Sequence, residues 1–131
     1  MKKQAEDWIF FADKDLQAAE IIINDEHPLT NIVAFHCQQA IEKYLKAYII
    51  EKKGSLTRIH DLIKLNAIAN EIKDLGIDEK KLIVLNEVYL DSRYPGDLGL
   101  MLDGMPTKDQ AKEFIEFVNE IKITINNELK S

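Results

Sequence analysis

The sequence predicts an all-α fold, a bundle of about five helices, and three observations carry that prediction. Apolar residues recur at steps of three and four along five separate stretches. No stretch alternates with period two for long, and no Asn-Gly or Asp-Gly turn joins two apolar runs; Asp103-Gly104 leads only into a mixed loop and Pro106. The glycines and prolines fall between the periodic stretches rather than inside them.

The first stretch, 5–25, carries Ala5, Trp8, Ile9, Ala12, Leu16, Ala19, Ile22 and Ile23 on one stripe, with Asp7, Lys14, Asp15 and Glu20 off it. Pro28 ends it, because proline disfavours helix at His27 and has no amide to donate. The second, 30–53, keeps Val33, Ala34, Cys37, Ala40, Ile41, Tyr44, Leu45 and Tyr48 in register. Phe35 and Ile49 widen its apolar surface, so it is expected to sit centrally. Gly54 suits the position after its last turn, behind two lysines that favour the negative end of a helix. The third, 60–75, carries Leu62, Leu65, Ile68, Ala69, Ile72 and Leu75 and is expected to stop at Gly76. Asp78 suits the cap of a fourth, with Leu82, Leu85, Val88 and Tyr89. The fifth has the clearest start: Thr107-Lys108-Asp109-Gln110 is a capping box, followed by Ala111, Phe114, Val118, Ile121 and Ile125. The stretch 91–106 fits no helix; it holds three of five glycines and two of three prolines, the mark of a functional or disordered loop.

A chain of 131 residues suits one domain, 1–131. No apolar run approaches the ~20 residues that span a bilayer, and no signal peptide is visible at the N-terminus, so a cytoplasmic protein with no membrane contact is expected. The lone Cys37 cannot form an internal disulfide, which agrees with a reducing compartment. The net charge of -6 excludes binding of nucleic acid through bulk positive charge and leaves only a local patch. There is no glycine-rich phosphate loop, no paired-cysteine zinc set and no His-Glu-x-x-His, so no metal or cofactor is expected beyond a possible nucleotide ligand.

Three places could carry chemistry. His36 and Lys43 fall on one flank of the second helix, either as a boundary histidine and a snorkelling lysine or as the lining of a polar cleft. In Arg58-Ile59-His60-Asp61, Asp61 suits a helix cap, whereas His60 with Arg58 suits a phosphate. From 42 to 64 there are six positive residues (Lys43, Lys46, Lys52, Lys53, Arg58, Lys64) against three negative (Glu42, Glu51, Asp61), a weak basic patch. In Asp91-Ser92-Arg93-Tyr94-Pro95, a helix running to 93 would turn Arg93 inward. It would then need a carboxylate, a helix C-terminus or a bound phosphate as acceptor.

Taken together, Phe35-His36-Cys37-Gln38-Gln39-Ala40-Ile41-Glu42-Lys43-Tyr44-Leu45-Lys46, His60-Asp61-Leu62 and Asp91-Ser92-Arg93-Tyr94-Pro95 resemble the HEPN domain family over about 5–125. The resemblance implies an up-and-down helical bundle that forms a homodimer, linked to nucleotides and RNA. It also implies a minimal nucleotidyltransferase as partner in a toxin–antitoxin pair. Family ribonucleases use Arg, four to six residues, then His, in a metal-independent attack of the ribose hydroxyl on the adjacent phosphate. This chain departs from that motif: His60 follows Arg58 by two residues and no histidine follows Arg93. The expectation is therefore a non-enzymatic module that binds a nucleotide or its partner through His36, Lys43, Arg58, His60, Asp61, Arg93 and Tyr94. The alternatives are a degenerate ribonuclease using His60 and Arg93, and a purely structural dimerisation module. AMP transfer to Tyr94 is a further expectation with a poorer match in spacing.

Overall fold

The computed structural model describes residues 1–55, 58–93 and 105–130, with α4 described as backbone alone over 89–93. The described residues form five helices and no strand: α1 (Lys3–Ile23), α2 (Thr30–Lys53), α3 (Leu62–Ile72), α4 (Glu79–Arg93) and α5 (Lys108–Leu129). The all-α bundle expected from the apolar spacing is the one observed. The long Gly/Pro stretch lies outside the described residues from 94 to 104, and so does Tyr94.

Several helix boundaries have a local cause. Gly54 ends α2 in the left-handed conformation (φ 81°), and its amide donates to the Ile50 carbonyl, as its position behind two lysines predicted. Asp61 caps α3, its Oδ1 accepting from the amides of Ile63 (2.8 Å) and Lys64 (3.1 Å). Asp78 does the same for α4 at Lys80 (3.0 Å) and Lys81 (3.3 Å). The capping box is present in full: Gln110 N donates to Thr107 Oγ1 (3.1 Å) and Thr107 N to Gln110 Oε1 (2.8 Å). The third helix differs from expectation. It ends at Ile72 rather than at Gly76, because Lys73 is extended and the chain turns through an Asn70 Oδ1 bond to the Leu75 amide (3.2 Å). Leu75 is still buried, so its apolar period reports packing and not helix.

α2 packs against all four other helices, and most extensively against α1 and α5. Its central place was legible in its wide apolar surface: Tyr44, Tyr48, Ile41, Leu45 and Ile50 are among the most completely buried large side chains. α1 runs antiparallel to it. Near the start of α1, the Lys2 amide donates to Glu51 Oε1 (2.8 Å) and Lys2 Nζ to the Glu51 carbonyl (2.9 Å), which holds Glu51 below the usual carboxylate range. α5 closes the other side, with Lys122 3.3 Å from Asp13 on α1 and Lys73 2.8 Å from Glu128. Cys37 lies fully inside the core, where burial pushes its thiol up to about 12. It is a packing residue and no nucleophile. Among the described residues no helix is long and apolar enough to cross a membrane.

Candidate functional site

Two clusters of buried or half-buried ionisable side chains lie along α2. The spacing explains why: His36 and Lys43 are two turns apart, and Glu42 and Lys46 one turn apart, so helical geometry lays the pairs on adjoining rows. The first cluster lies between α1 and α2. His36 Nδ1 is 2.9 Å from Asp15 Oδ1, and Lys43 Nζ donates to Asp15 Oδ2. Asp15 lies off the apolar stripe of α1, yet its side chain is only 11% exposed. Its burial has a physical reason: this flank of α1 faces α2, and two donors there compensate the buried carboxylate. The neighbouring Tyr44 hydroxyl donates to Asp13, and burial together with that carboxylate raises the phenol well above its ordinary value.

The second cluster lies where the segment before α3 folds back on α2. Lys46 Nζ donates to Glu42 Oε2 (3.0 Å), and both side chains are almost fully buried, at 3% and 7% exposure. Two further groups close the pair off. The Trp8 ring lies 5.0 Å from Lys46 Nζ as a cation–π partner. His60 Nδ1 lies 3.3 Å from both Glu42 Oε2 and Lys46 Nζ. The His60 side chain is nevertheless 75% exposed, so one edge of the ring touches the buried pair while the other projects into solvent. With Lys46 acting as a donor, the Nδ1–H form of His60 lets both groups donate to the same carboxylate oxygen and leaves Nε2 as an outward acceptor.

The other expected site residues are placed as follows. Asp61 is committed to the cap of α3. Arg58 and Lys64 are exposed near His60 in sequence. Arg93 ends α4 as a backbone position, its side chain lying outside the described residues, as does all of Tyr94. The structure thus brings His36 together with Lys43, and His60 with Glu42 and Lys46, at separate points on the flank. It also neutralises much of the expected basic patch: Lys43 faces Asp15, Lys46 faces Glu42, and Lys53 lies 3.6 Å from Glu71. Asp15, Glu42, Lys46 and Trp8 were not singled out as site residues. Only the one-turn spacing of Glu42 and Lys46 signalled a pair, and that spacing is as common on solvated faces.

The HEPN domain model matches residues 5–127. The chain belongs to the HEPN domain family. No curated protein and no solved structure matches it. The HEPN match covers α1 to α5, so both clusters lie within it, and the α-helical bundle fits the resemblance carried by the three motifs.

Proposed function

We propose that this HEPN protein binds a nucleotide, or another phosphate-bearing ligand, around His60, and that it partners a minimal nucleotidyltransferase in a pair of toxin–antitoxin type. The observation that supports the ligand reading is the mounting of His60: an exposed imidazole anchored by a buried carboxylate, with the exposed Arg58 and Lys64 close to it in sequence. An anchored ring loses less side-chain freedom on binding than a free one. The amides of Ile63 and Lys64 are already taken by Asp61, so side chains rather than the helix N-terminus would hold the phosphate. The acidic net charge favours a small anion over an RNA surface, since RNA contacts draw on clustered lysine and arginine. The test is calorimetric titration with ATP, GTP and AMP. Saturable heat that weakens in Arg58→Ala and His60→Ala supports the reading, and flat traces for all three refute it. Co-purification of a co-expressed minimal nucleotidyltransferase tests the partnership separately.

One observation favours a second reading, a metal-independent ribonuclease. The contact between Glu42 and His60 is the pairing by which a carboxylate orients an imidazole base. The missing Arg-to-His motif counts against it. Incubation with labelled tRNA in EDTA separates the two readings: cleavage that His60→Ala abolishes would install the nuclease, and intact RNA would retain the binding module.

A further inference from the structure

His60 meets the buried ion pair through one ring nitrogen. Its Nδ1 lies 3.3 Å from both Glu42 Oε2 and Lys46 Nζ, while the side chain as a whole is 75% exposed. One of these neighbours is a carboxylate, which only accepts, and the other an ammonium, which only donates. A hydrogen on Nδ1 is held by Glu42; the other tautomer would set the Nδ1 lone pair against that carboxylate. Lys46 does not reverse the preference, because its ammonium is already engaged with Glu42 at 3.0 Å and with the Trp8 ring at 5.0 Å. The neutral ring therefore turns a lone pair outward at Nε2. A phosphate oxygen also brings only lone pairs, so the two cannot meet without a hydrogen between them.

We infer that a ligand phosphate binds at His60 together with one proton, which settles on Nε2 and leaves an imidazolium between the phosphate and Glu42. This deepens the ligand reading above and rests on it. The proton comes from solvent, no bond to phosphorus forms or breaks, and Nε2–H donates to a phosphate oxygen. Glu42 suits the site to this role, since its buried carboxylate stabilises the charged ring from the side away from water. Lys46 opposes that charge. Among the described residues these two are the charged groups in polar contact with the ring. From α1 the pair is faced by the uncharged Trp8; on the side of His60 itself, Arg58 and Lys64 are exposed and Asp61 is committed to the cap of α3. Histidine is the side chain whose ordinary titration falls between about pH 5 and 8, so the gate works in the physiological range. Binding needs the protonated ring, so affinity is highest at low pH and falls as pH rises and the free ring has to be charged first.

Calorimetry with AMP, ATP and GTP in buffers of different ionisation enthalpy counts the protons taken up. At about pH 7.5 the ligand is past the second ionisation of a phosphate monoester, near 6, so the uptake belongs to the protein. The wild type should take up about half a proton or more per ligand, and its affinity should fall about fivefold or more from about pH 7 to pH 8.5. His60→Arg keeps a cation with outward donors and needs no proton. It should bind with an uptake below about a tenth of a proton and with an affinity that is flat over the same range, and circular dichroism checks its fold. In the wild type saturated with nucleotide, ¹H–¹⁵N spectra should show both His60 ring nitrogens protonated, a reading that stands even if the variant fails to fold. Binding without uptake, uptake that His60→Arg retains, or a ring that stays singly protonated at saturation overturns the inference and leaves the ligand reading in place. Absence of heat with all three nucleotides at every pH removes the ligand reading, and this inference with it.

Discussion

The two acid–base clusters on α2 contain the same three kinds of group, a carboxylate, a lysine and a histidine, and differ in how burial is shared among them. At Asp15, all three members are partly screened: the carboxylate is 11% exposed, Lys43 22% and His36 24%. At Glu42, burial is polarised, with the ion pair nearly dry and His60 at 75% exposure. An evenly screened cluster joins two helices and keeps each member within reach of water. A polarised one holds a rigid charged base under an accessible tip, which is the form a binding or proton-transferring group takes. The first cluster thus acts as a clamp between α1 and α2, and the second as a mount for His60.

This contrast predicts unequal costs of mutation. Lys46→Ala strands the Glu42 carboxylate in the interior and should lose about 3 kcal/mol of stability in urea unfolding. The double change Lys46→Met with Glu42→Leu removes both charges and should recover most of that loss; if it does not, the pair is worth more than its own desolvation. Asp15→Ala leaves Lys43 and His36, both of which already reach solvent, so its cost should be smaller, about 1–2 kcal/mol. Equal losses at Lys46 and Asp15 would erase the distinction between mount and clamp. Asp61→Ala removes the cap of α3 and should cost about 1 kcal/mol. His60→Ala, at an exposed ring, should change stability by no more than about 0.5 kcal/mol, read by the same denaturation curve. A larger loss there would make His60 a structural plug.

Fold and site were unequally legible in the sequence. Helices announce themselves by period and caps, and here the capping box at Thr107, the aspartates at 61 and 78 and the glycine at 54 all mark real boundaries. The apolar count predicts a longer α3 because Leu75 continues it after the backbone has left the helix. The flank shared by His36 and Lys43 was visible from the 100° step, but their common partner was not. Asp15 lies on another helix, and α1's own pattern made it look solvated. Glu42 and Lys46 look like an ordinary surface pair from their spacing. Only the return of the segment before α3, with Trp8 on the other side, makes them buried. Tertiary contact decides such charges, and a one-dimensional pattern does not carry it.

The chain has only three histidines, His27, His36 and His60, so their ring signals in long-range ¹H–¹⁵N spectra report directly on the mount. During titration with ATP, GTP or AMP, the His60 ring signals should move and saturate. Those of His36, clamped by Asp15, should move less, and those of the exposed His27 should stay in place. A His60 ring that does not respond to any of the three, at concentrations that saturate the calorimeter or exceed its range, would contradict the assignment of His60 as the ligand-facing group.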